Sequence, residues 1–103
     1  MRKTVININH EKLDDSTQIL RALAHPLRMK ILHFIDQHDT INVNKIYNTL
    51  KLEQSITSQH LKVLRMSGLV IAEKDGKYMH YSLDYKKIGQ AIQAIRNFLD
   101  EDI

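Results

Sequence analysis

The sequence predicts a mainly α chain with a small β-hairpin, an α+β fold in which helices dominate. Three observations carry this. Apolar residues recur at three- and four-residue steps through most of residues 16–67 and again from Tyr85 to Leu99, the period of amphipathic helices. Two short runs, Leu69 to Lys74 and Tyr78 to Leu83, have strand character, and Asp75-Gly76 between them is a strong hairpin signal. At 103 residues, with 43% hydrophobic and 26% charged residues, the chain has the size and composition of one globular domain.

The elements follow in order. Residues 1–12 are ambiguous: Val5, Ile6 and Ile8 suit a short strand, and the segment suits an N-terminal arm equally well. From Ser16 to Ala24, Ile19, Leu20 and Leu23 sit at helical spacing, with Asp14, Asp15 and Ser16 as candidate caps. His25 reads as a helix-start residue and Pro26 as the first position of a second helix. That helix carries Leu27, Ile31, Phe34 and Ile35 on one face and is expected to end near Asp36 to His38. Thr40 or Asn42 caps a short third helix with Val43, Ile46 and Leu50 inward. After a connection at Lys51 to Gln54, a fourth helix runs from about Ser55 to Ser67, and Gly68 ends it in a left-handed cap. In the second strand Met79, Tyr81 and Leu83 alternate with Tyr78, His80 and Ser82, predicting one core face and one open face. Asp84 caps a last helix bearing Tyr85, Ile88, Ala91, Ile92, Ile95, Phe98 and Leu99.

Two short helices joined by a tight turn and followed by a hairpin form a winged helix-turn-helix. The whole of 1–103 is read as one such domain. In this arrangement the second helix of the pair enters the major groove with its N-terminal residues toward the bases. At ~100° per residue, Ser55, Ser58, Gln59 and Lys62 share one face of that helix, while Thr57, Leu61 and Leu64 share another. Hydroxyls and amides reach base edges and phosphates, and lysine neutralises a phosphate. The expected DNA contacts are therefore Gln54, Ser55, Ser58 and Gln59 toward bases, and Lys62, Lys74 and Lys77 toward the backbone. His60 and Tyr78 are weaker candidates, and His60 alternatively packs on the preceding helix.

Charge is permissive rather than decisive. Net charge is +3, and residues 51–84 hold five cations (51, 62, 65, 74, 77) against four acids (53, 73, 75, 84). Any footprint must come from local placement. The absence of cysteine excludes disulfides, thiolate metal sites and cysteine nucleophiles. No apolar run approaches a membrane span, and residues 1–10 lack a signal-peptide core, so a cytoplasmic location is the expectation. With three glycines in all, there is no phosphate-cradling loop, no nucleophile elbow and no paired carboxylate in an apolar setting, so no enzyme is expected. No cofactor is expected.

Three segments carry a family resemblance: A-L-A-H-P-L-R-M-K-I-L at 22–32, S-x-x-S-Q-H-L-K-V-L-R-x-S-G-L-V at 55–70, and D-G-K-Y-M-H-Y-S-L at 75–83. Over roughly residues 16–99 the chain resembles the ArsR/SmtB family of bacterial winged-helix repressors. The resemblance implies a homodimer that binds a palindromic operator, with dimer contacts from the first and last helices. On that implication 85–101 is a dimerisation helix, and Leu20, Leu23, Ile88, Ile92, Ile95 and Leu99 are the expected interface.

Family members often release DNA on binding a ligand, frequently a metal. One family metal site uses Cys-x-Cys, where this chain has Asn42 and Asn44. A second uses Asp and His on the last helix, where Tyr85, Lys87, Phe98 and Glu101 stand. Asparagine amides replace thiolates poorly, and lysine repels a metal. No metal is therefore expected at those places, and an unknown small-molecule effector is left open. Two alternatives stay beside the main reading: a protein-binding winged helix, and a metal sensor using His33, Asp36 and His38.

Overall fold

The computed structural model describes residues 18–101. The expectations for an arm at 1–12 and for caps at Asp14, Asp15 and Ser16 lie outside the described residues. Helical residues 18–23 form α1. It is followed by α2 (Pro26–His38), β1 (Thr40–Asn42), α3 (Val43–Leu50), α4 (Gln54–Met66), β2 (Val70–Asp75), β3 (Tyr78–Leu83) and α5 (Tyr85–Glu101).

Helix α2 starts where the sequence predicts. His25 caps it in extended backbone, its Nδ1 accepting from the Leu27 N–H at 3.2 Å, and Pro26 opens the first turn. Ile31, Leu32, Phe34 and Ile35 are buried. At its end the His38 Nδ1–H donates to the Phe34 carbonyl at 2.8 Å, folding the ring back against the last turn and the Phe34 ring.

Strand β1 was not expected. It forms because Thr40, Ile41 and Asn42 pair with Ser82, Tyr81 and His80, giving an antiparallel sheet of order β1-β3-β2. Three residues are too few to show alternation, so tertiary pairing alone defines this strand. Thr40 lies in it, and Asn42 is the cap of α3, its Oδ1 accepting from the Lys45 N–H at 2.8 Å.

The turn between α3 and α4 uses Lys51 in the left-handed region, φ 56° and ψ 51°, with the Lys51 and Leu52 N–H groups both on the Tyr47 carbonyl. Helix α4 ends in a Schellman motif. Gly68, at φ +85°, donates to the Arg65 carbonyl and Leu69 donates to the Leu64 carbonyl. Leu64 and Leu69 are both fully buried, so the motif also joins the helix end to the core.

The hairpin register pairs Asp75 with Tyr78, leaving Gly76 and Lys77 as the two turn residues. Asp75 therefore closes the strand instead of entering the turn, one residue off the Asp-Gly signal. Gly76 at φ +62° followed by a residue of ordinary φ marks a type II′ turn, which places glycine first. Nor does β3 show two clean faces. His80 and Ser82 are half-buried like Met79 and Tyr81, because burial rises from the free tip at Tyr78 to the base at Leu83.

The core joins Ala22 of α1, the inward residues of α2, Ile41, Ile46, Leu61, Leu64, Leu69, Val70 and Leu83. Helix α5 is capped by Asp84, whose Oδ1 accepts from the Lys87 N–H at 3.1 Å. The Tyr85 hydroxyl donates to Asp36 at 2.5 Å, tying the start of α5 to the end of α2. Ile88 packs on the core, whereas Ile92 is 46% exposed.

Candidate nucleic-acid interface

Helix α4 divides cleanly. Thr57, Leu61 and Leu64 are buried, and the Thr57 hydroxyl donates to the Glu53 carbonyl at 2.9 Å, so this inward polar group is satisfied. Gln54, Ser55, Ser58, Gln59 and Lys62 are all exposed on the other side. The structure thus brings five of the expected contacts together on one open surface. Glu53 precedes them without giving a side-chain cap bond, so the first turn is not closed off by its own cap.

His60 points away from that surface and packs on α2 rather than on the preceding helix α3. It is half-buried, and its Nδ1 accepts from Arg28 Nε at 3.2 Å. Its ring lies 4.6 Å from that of His25. Arg28 also donates through Nη1 to the Arg21 carbonyl at 2.8 Å, so one guanidinium connects α1, α2 and α4. Burial, then the neighbouring His25 and Arg28 charges, hold the His60 pKa below its ordinary value. A neutral ring accepting at Nδ1 keeps its proton on Nε2. His60 thus sits on the packing side of α4, off the exposed polar stripe.

The hairpin separates its three expected contacts. Directly opposed residues of an antiparallel pair share a face. Lys74 opposes Met79, on the same side as the buried pair Val70 and Leu83. Tyr78 opposes Asp75 on the other side. Lys77 is at the tip, and all three are exposed. Sequence reasoning passed over Lys45 and Asn48, exposed on α3, the helix that precedes the reading helix in the pair. The expected crossing of the DNA backbone by that first helix was the signal available.

Among the expected interface residues, Leu20 is 49% exposed and Leu23 is half-buried against the core. The Ile95 and Leu99 side chains lie outside the described residues. Toward a metal, the described residues include no group of three His, Asp or Glu side chains that could hold an ion. His38 is engaged with Phe34 and Asp36 with Tyr85. Asn42 and Asn44 use their side-chain oxygens for the α3 cap and for the Tyr47 hydroxyl. No helix among the described residues is long and apolar enough to cross a membrane.

Comparison with known proteins agrees with this geometry. Residues 25–72 match the family described as bacterial regulatory protein, arsR family. The chain is 35% identical over 89 residues to the transcriptional repressor PagR of Bacillus anthracis, covering 85% of this chain and 88% of that protein. It is 36% identical over 73 residues to the HTH-type transcriptional repressor SmtB of Mycobacterium tuberculosis, covering 71% of this chain and 53% of that one. The crystal structure of PagR superposes with a TM-score of 0.70 at 32% identity, covering 84% of this chain and 99% of PagR. That of NolR from Sinorhizobium fredii gives 0.74 at 27% identity, covering 94% and 96%.

Proposed function

The chain belongs to the arsR family of bacterial regulatory proteins, and from that premise we propose that it is a homodimeric repressor whose two α4 helices read the halves of an inverted-repeat operator. It is a DNA-binding transcriptional regulator with a winged helix-turn-helix fold. The observation that carries the finer reading is the exposed first turn of α4. Gln54, Ser55, Ser58 and Gln59 are free to meet base edges, because Thr57, His60, Leu61 and Leu64 take the inward positions. Lys62, Lys77 and Lys45 neutralise phosphates around them, with Lys74 and Tyr78 on opposite faces of the wing. His60 supports the helix from behind. The role is regulatory rather than catalytic, and a cytoplasmic location follows from the DNA partner.

The dimer is supported by α5. Its 17 residues extend ~25 Å, and Ile92 is exposed one turn beyond the point where Ile88 meets the core. With exposed Leu20, this is apolar surface that a second copy would cover. Two reading helices on one face of the duplex would then sit roughly 34 Å apart. Repression is the activity named for PagR and SmtB, and it passes to this chain as part of the proposal. In this reading the release signal does not use the two family metal sites, because asparagine amides at 42 and 44 and Tyr85 and Lys87 on the last helix are poor metal ligands.

The test is duplex binding across a salt series, with sedimentation of the same samples. Affinity should fall steeply and linearly on logarithmic axes, and Lys77→Ala should lower the slope by about one per subunit. Salt-independent binding would instead favour a protein-binding winged helix. Ile92→Asp should sediment as a folded monomer, and a dimer that survives it would place the interface elsewhere.

A further inference from the structure

Ile56 is a branched apolar side chain in the first turn of α4, and it is 40% exposed. It takes no place in the core cluster, and the adjacent Thr57 is the residue that turns inward. At ~100° per residue Ile56 borders Gln59 on the outward surface and lines up with Val63, which is 37% exposed. The other outward residues between 54 and 59 are Gln, Ser, Ser and Gln. Isoleucine here forgoes burial and is a weaker helix former than the residues usual on a solvated face.

The chemistry of the groove supplies a partner for it. Alongside its hydrogen-bonding groups the major groove presents one apolar group of substantial size, the C5 methyl of thymine. The N-terminal residues of a reading helix are those that meet these edges. We infer that Ile56 is a specificity-determining residue that contacts the C5 methyl of one thymine in each operator half-site. This rests on the base-reading role proposed for α4. Cytosine carries only hydrogen at C5, so Ile56 separates thymine from cytosine by apolar contact. Gln59 separates adenine from the other bases by its amide. The two side chains read neighbouring positions by different physics. A protein partner is the weaker occupant: one isoleucine among serines and glutamines lacks the aromatic, Met and Arg content of a protein interface.

Deoxyuridine isolates the methyl group. Wild-type protein first selects duplexes from a random pool. The selected duplex is then remade with one thymine per half-site replaced by deoxyuridine, position by position, and binding is measured. One position should show a loss of roughly four-fold per half-site, the scale of one buried methyl-sized group. Ile56→Ala should show no loss at that position, while Ile56→Val and Gln59→Ala keep it. Because Ile56 is outside the core, Ile56→Ala should melt like the wild type. Wild-type protein indifferent to deoxyuridine everywhere, or Ile56→Ala that retains the loss, overturns the inference. If Gln59→Ala still changes base preference in that case, the role of α4 stands and only Ile56 is removed. A selection that returns no preferred sequence overturns both.

Discussion

The inward and outward faces of α4 belong to one helix and obey opposite rules. On the inward face each polar side chain has a partner: the Thr57 hydroxyl bonds the Glu53 carbonyl, and His60 bonds Arg28. Its apolar members, Leu61 and Leu64, are almost wholly buried. On the outward face Gln54, Ser55, Ser58, Gln59 and Lys62 are exposed to solvent, and none of them is in the packed core among the described residues. The inward face fixes where the helix lies, and the outward face is free to be spent on a ligand. Stability and recognition should therefore separate by residue, even one position apart as at Thr57 and Ser58.

The largest effect should come from the inward face. Leu61→Ala removes a core side chain and should cost about 2–5 kcal/mol in urea unfolding, with DNA binding lost in proportion to the folded fraction. A small loss would mean that α4 is held mainly by its ends. The turn before the helix gives a smaller effect of opposite sign. Lys51 holds φ 56° with a side chain, and Lys51→Gly should raise stability by up to about 1 kcal/mol, after the extra freedom glycine gives the unfolded chain. A destabilised variant would show that the Lys51 side chain makes a contact that outweighs the backbone relief.

The smallest effect concerns His60. Its folded pKa is depressed below 6.5, so the unfolded chain binds the proton more readily. The stability linked to this group is present above 6.5 and is lost as pH falls from there through the folded value. Urea unfolding from neutral to mildly acidic pH should show this decline, and His60→Gln should flatten it. Equal slopes in both proteins would place the titration on another group.

Local rules made much of this fold legible. Helical spacing located α2, α3 and α4 to within a residue or two, His25-Pro26 marked the start of α2, and Gly68 marked the end of α4. What escaped was set by partners distant in sequence. Strand β1 exists through β3, some 40 residues later. His60 packs on α2 and not on the preceding α3, because Arg28, 32 residues earlier, reaches it. The split of Lys74 and Tyr78 across two faces depends on a register in which the turn is Gly76-Lys77. The polar stripe of α4 was legible because it needs only helical geometry. Ile56 was overlooked because an isoleucine in an amphipathic pattern reads as core until its exposure is known.

The central claim is that the outward face of α4 reads bases while contributing little to stability. Its most direct test compares wild type and Gln59→Ala on a panel of operator duplexes, each with one base pair changed, alongside urea unfolding. The account predicts unchanged unfolding and a loss of about 1–3 kcal/mol of discrimination at one position per half-site, with the other positions read as before. Equal weakening on every duplex, or a large loss of stability, would contradict it.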